Sequence, residues 1–109
     1  MLSEKAVRAY AQTSAATAGV LKSYQLLVEK ALTSLLRFRQ DNHFSHRDLA
    51  QDIVAQIQHG LNLSFEASAW LYESLGIIWD SLEGGPEELN RAEDLLRQLR
   101  ELLVEMQKK

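Results

Sequence analysis

Apolar residues recur at three- and four-residue steps in four separate stretches of this chain, and little interrupts them. Such spacing places them on one side of a helix, because a helical turn takes 3.6 residues. One proline, five glycines and few β-branched runs leave no competing strand pattern. The sequence therefore predicts an all-α fold. At 109 residues the chain fits one domain. A chain of that size buries roughly two-thirds of its surface on folding, enough for one core.

The segments differ in strength. The first, SEKAVRAYAQTSAATAG, has Ser3 as an expected N-cap and Gly19 as an expected stop. Its apolar positions are Ala6, Val7 and Tyr10, followed mostly by alanines, so it should dock weakly. In the second, Ser23 reads as the cap and Tyr24, Leu27, Val28, Ala31, Leu32, Leu35, Leu36 and Phe38 as the buried stripe. RQDNHFSH then reads as a loop. A third helix is expected after Ser45, with Asp48 as a weak capping-box partner and an inner stripe of Leu49, Ile53, Ile57, Gly60 and Leu61.

Two joins decide the topology. LNLSFEAS is expected to turn near residues 62–66; the competing reading is one long helix from about 46 to 82, which would invite swapping between two copies. The later break is clearer. EGGPEE supplies a glycine stop, then Pro86 in the first turn and Glu87 and Glu88 at the positive end of the next helix. That last helix aligns Leu89, Ala92, Leu95, Leu96, Leu99, Leu102, Leu103 and Met106, with Glu93, Arg97, Arg100 and Glu101 on a solvated face. The prediction is an antiparallel up-down four-helix bundle behind a weak N-terminal helical segment. Residues 1–109 form one domain, with 1–20 weakly docked and 22–107 making the bundle.

The stretch SAWLYESLGIIWDSLEGG, Ser68 to Gly85, holds more apolar surface than one helix face can bury. Leu71, Leu75, Ile78 and Leu82 make a sufficient inner stripe, with Tyr72 and Trp79 on its flank. Trp70 and Ile77, seven apart, fall on a separate stripe. Either the weak N-terminal segment covers them or a partner does, and large apolar residues left outside a small core usually mark an interaction surface.

Several functions are disfavoured by composition. Net charge is −3, and the one basic cluster outside the tail is Arg37 and Arg39, so no nucleic-acid partner is expected. There is no cysteine for disulfides or thiolate sites, no apolar run long enough to insert in a membrane, and no signal-peptide pattern in MLSEKAVRAY. His43 and His46 could share a metal if helical, but HFSH reads as a loop and lacks carboxylate partners at Glu-x-x-His spacing, so no metal or cofactor is expected. No nucleophile elbow or phosphate-binding loop is present. His59, in HGLNLS, is similar to the phosphorylated histidine of the histidine-phosphotransfer bundles. Their pattern His-x-Leu-Lys-Gly is matched here by His59 and Leu61, but Asn62 and Leu63 stand where lysine and glycine belong. The missing lysine would have held the incoming phosphoryl charge.

With these elements in place, the layout resembles the flagellin-export chaperone family, the FliS family. AVRAYAQTS is similar to its Ala-x-x-Ala-Tyr opening, with Tyr10 at the tyrosine. SYQLLVEKAL resembles the start of its first long helix through Ser23, Leu27, Val28 and Glu29, with Tyr24 where the family has proline. Leu71 and Tyr72 stand at the Leu-Tyr pair of its third long helix, and AEDLLRQLRELLVEM resembles its closing helix. The resemblance implies a non-catalytic, cytoplasmic chaperone. It would hold the disordered C-terminal segment of flagellin, or a similar secreted amphipathic client, in apolar grooves until export. It also implies a client surface at Tyr10, Leu61, Leu63, Phe65, Trp70 and Ile77, and contact with an export-gate component; a homodimer is a further expected assembly. The alternatives are a phosphotransfer domain using His59, or a chaperone of a related type III secretion system.

Overall fold

A computed structural model describes residues 18–60 and 66–108, and of residues 18, 20, 66–70 and 106 the backbone alone. Four helices make up the fold: α1, Ala18–Asp41; α2, Phe44–His59; α3, Glu66–Ser81; and α4, Pro86–Gln107. Each packs on two neighbours, in the ring α1–α2–α3–α4. Cross-helix hydrogen bonds give the directions. Gln107 Nε2 donates to Gln25 Oε1 near one end of the α1–α4 seam, and Arg39 donates to Glu93 Oε1 near the other. Gln51 reaches Trp79 while Gln58 reaches Tyr72, so α2 and α3 also run antiparallel. The fold is an up-down four-helix bundle, as the periodicity predicts.

The inner faces follow the expected stripes closely. Val28, Ala31, Leu32 and Leu35 of α1 meet Leu71, Leu75, Ile78 and Leu82 of α3 and Ala92, Leu95, Leu96, Leu99 and Leu103 of α4 in one buried cluster. Each such Leu or Ile contributes about 1.5–3 kcal/mol by leaving water. Tyr72 and Trp79 pack at the margin of that cluster, the flanking position the sequence assigns them.

In α2 the stripe is rotated from the expected one. Ala50, Ile53, Val54 and Ile57 are buried, whereas Leu49 is 39% exposed. Gly60 is the C-cap, outside the stripe. The neighbouring helix explains the rotation: buried Gln51 donates from Nε2 to the Trp79 carbonyl and to Glu83 Oε1, both at 3.2 Å. Gln58 Nε2 donates to the Tyr72 carbonyl at 2.8 Å. Gly76 permits this approach, since a methyl there would lie 3.3 Å from the Gln58 amide nitrogen. Two glutamines thus set the register of α2 on α3 with bonds that periodicity does not reveal.

The helix ends carry the other differences. Ser23 lies inside α1 and does not cap it, and Gly19 is helical in the same element; the N-terminal segment that Gly19 is expected to stop lies outside the described residues. An isolated glycine costs a helix about 1 kcal/mol, and the turn it occupies carries Leu21 into the core. The expected loop RQDNHFSH contracts to Asn42 and His43. Asn42 takes a left-handed conformation, φ 57°, and its N–H donates to the Phe38 carbonyl at 2.7 Å. That closes α1 with an αL cap, a role in which asparagine is second to glycine. α2 then begins at Phe44 with His43 as N-cap, so Ser45 lies in its first turn, and no side-chain capping bond forms.

α2 ends at His59 and α3 begins at Glu66, and the two pack on each other, so residues 46–82 form two helices and not one. The α3–α4 turn matches expectation. Pro86 opens α4 behind Gly85, Glu87 and Glu88 occupy its first turn, and Leu89 N–H donates to the Gly85 carbonyl at 2.9 Å. Glycine is required at position 84, where a Cβ would fall 2.5 Å from Glu88 Cβ.

Candidate functional site

Ile77 sits on the outer face of α3, two residues from core Leu75 and 45% exposed. It cannot join the inner stripe, because Leu75 and Ile78 already take the inward positions on that turn. The four-residue turn from Leu82 to Gly85 returns the chain antiparallel and sets α4 beside it. Between the two helices lies an open pocket of about 170 Å³ lined by Ser74, Ile77, Arg91 and Leu95. Its floor is core material: Leu95 is 2% exposed and Ser74 is buried. Its edge is Ile77 on one side and the exposed guanidinium-bearing Arg91 on the other. Arg91 enters no ion pair among the described residues.

The pocket pairs an aliphatic side chain and a leucine floor with one cation. Ser74 lines the pocket with Ile77, Leu95 and Arg91. Of the residues named from sequence as a client surface, Ile77 lies at this pocket. Tyr10, Leu61, Leu63 and Phe65 fall outside the described residues, as does the side chain of Trp70. Ser74, Arg91 and Leu95 were not foreseen as lining residues. Their signal lies in the turn length, since a short α3–α4 turn places residues 74–77 level with 91–95.

His59 is the exposed last residue of α2, immediately before the Gly60 cap. The end of a helix carries the negative pole of its dipole, about half an elementary charge. A phosphoryl group on His59 would meet that pole without a lysine to offset it. Arg100, expected on the solvated face of α4, is only half-exposed, and its Nε is buried without a hydrogen-bond partner among the described residues.

The α1–α2 corner gathers the remaining histidines. His46 Nε2 lies 3.2 Å from Asp41 Oδ2, and the His43 and His46 rings are 6.0 Å apart. The His43 backbone N–H donates to Asp41 Oδ1 at 2.9 Å. That bond, with the neighbouring His46 ring, holds the Asp41 carboxyl below its ordinary range. Phe44, 63% exposed, lies tilted by 33° to the Phe38 ring at 6.1 Å between centroids, and the Arg47 guanidinium carbon sits 4.8 Å over its ring. Among the described residues, no group of three or more histidines and carboxylates converges as a metal site would require. None of the described helices is long and apolar enough to cross a membrane. Compared with known proteins, the chain matches no family model, no curated protein and no solved structure.

Proposed function

We propose that this bundle is a non-catalytic export chaperone of the cytoplasm. It holds the C-terminal segment of flagellin, or a similar secreted amphipathic client, and prevents its premature assembly. The single observation that supports this reading most is the α3–α4 pocket, where Ile77 stands exposed over a buried Leu95 floor. An amphipathic helix laid in such a groove would bury Ile77 against that floor, the usual mode of helix-in-groove recognition. The resemblance of the Leu71–Tyr72 helix and of the closing helix to the flagellin-export chaperones supplies the client class. Trp70, seven residues before Ile77, extends the same stripe by helical spacing.

The test is a calorimetric titration with a flagellin C-terminal peptide. The double variant Trp70→Ala, Ile77→Ala should bind at least about tenfold more weakly, as loss of roughly 1.4 kcal/mol of apolar burial implies. Its helical circular dichroism should stay unchanged. Equal affinity in parent and variant would remove Ile77 and Trp70 from the client surface. A phosphotransfer domain would instead accept label from a phosphorylated response regulator and lose it in His59→Gln. A chaperone of a related secretion system would ignore the flagellin peptide but take an amphipathic segment from another exported protein.

A further inference from the structure

Arg91 is the charged member of the α3–α4 pocket's lining, beside Ser74, Ile77 and Leu95. It is exposed, and among the described residues no carboxylate pairs with it. Glu87, Glu88 and Asp94 stand three or four residues from it on α4, a spacing at which helical side chains can meet, yet none is its partner. Glu93 turns to the opposite flank of the helix, where it takes both Arg39 and Arg97. The guanidinium at the pocket's edge is thus left to solvent. The space beside it is about 170 Å³, close to the ~150 Å³ of a cavity that takes a single benzene ring. It admits one large apolar side chain over the Leu95 floor.

We infer that the pocket reads a paired signature in its client: one large apolar side chain seated on Ile77 and Leu95, and an aspartate or glutamate within one helical turn of it that accepts from Arg91. The inference rests on the client-binding reading of this pocket and adds the residue that selects among clients. A segment seated on Leu95 has to cross Arg91 at the rim and take water from it. An uncharged segment leaves the guanidinium partly desolvated and unpaired, which costs binding. A lysine or arginine at that place adds repulsion. A carboxylate replaces the lost hydration by accepting two parallel N–H···O bonds, a fork geometry that arginine offers and lysine does not. Apolar burial therefore supplies the attraction and Arg91 the discrimination. A single pair at a rim is weak and screened by salt, so the preference should fade at high ionic strength.

Three synthetic amphipathic helical peptides test this. They share one leucine face and differ in the residues four before and four after the central leucine, which are glutamate, glutamine or lysine. Each is titrated with the full chain by fluorescence anisotropy at about 0.02 M and about 1 M salt. The glutamate peptide should bind roughly fivefold tighter than its glutamine twin at low salt, the lysine peptide should be weakest, and the three should converge at high salt. Arg91→Glu should invert that order, and Arg91→Lys should keep it with a smaller gap. Arg91 is exposed, so neither change should alter the circular dichroism. Equal affinities at low salt, or an order unmoved by Arg91→Glu, would overturn selection by Arg91 and leave the pocket as an apolar site. Ile77→Ala should weaken all three peptides by a similar factor; unchanged affinities would place them elsewhere and overturn the site. Octanoate bound more tightly than the glutamate peptide would overturn the peptide occupant in favour of a free fatty acid. Failure of every peptide to bind would overturn the client-binding reading itself.

Discussion

On the α1 side of α4, Arg39 donates to Asn90 and Glu93, Arg97 donates to Glu93, and Gln107 donates to Gln25 and to the Leu103 carbonyl. Polar side chains thus bridge that seam near both of its ends. On the α3 side, the same helix presents Arg91 and Leu95 to a pocket that Ile77 leaves open. Both seams stand on the same leucine core, so the difference lies in the outer layer. The first seam spends its long polar side chains on each other. The second leaves Ile77 and Arg91 exposed to solvent. A bundle stable from its inner stripes alone can leave one seam in this state, and a partner can then use it without competing with the fold.

The largest effect on this contrast should come from the residue that serves both fold and pocket. Leu95→Ala removes the pocket floor and should cost about 2–3 kcal/mol, the low end for a buried leucine because the site already opens to water. Urea denaturation measures it, and a cost under about 1 kcal/mol would mean that the floor is not part of the core. Gly84→Ala comes next. Its methyl would meet Glu88 Cβ at 2.5 Å and force the α3–α4 turn apart. Overpacking of this kind costs about 1–3 kcal/mol, visible as a lower thermal midpoint.

The polar seam should yield less. A double-mutant cycle on Arg39 and Glu93 should give a coupling of about 0.5–1 kcal/mol, since both groups are partly exposed. A coupling near zero would reduce the comparison to packing alone. The smallest effect lies off both seams, at Asp41, whose carboxyl is held below its ordinary range by the His43 N–H and the His46 ring. A depressed carboxylate adds stability that is complete above its unfolded pKa, about 4, and is lost as pH falls through the folded value. Asp41→Asn should therefore lower the urea midpoint slightly at pH 7, and the gap should close as the pH falls below the folded value. A gap that persisted at acid pH would assign the contribution to a neutral hydrogen bond.

Much of this fold is written in spacing. The stripes Val28–Leu35, Leu71–Leu82 and Ala92–Leu103, the Gly-Gly-Pro boundary and the marginal place of Tyr72 and Trp79 all follow from period, caps and proline. The placement of Leu49, the αL cap at Asn42 and the capless start at His43 do not. Leu49 has the spacing of a core residue and loses its place because Gln51 and Gln58 anchor α2 to α3 carbonyls. A hydrogen bond between helices depends on which atoms come within 3 Å, and periodicity carries no such distances.

The candidate site divides the same way. Ile77 was legible as surplus, because one helix has room for one inward stripe and Leu75 and Ile78 already fill it. What Ile77 faces was not legible. Arg91 and Leu95 belong to a different helix, and only the antiparallel return through Gly84 and Gly85 brings them beside Ser74 and Ile77. The sequence by itself determined that four amphipathic helices would bury their leucines and that apolar surface would remain on one of them. The tertiary structure decided where that surface meets a pocket and which residues line it, because neighbours across a seam are set by packing direction and register, which no single helix contains.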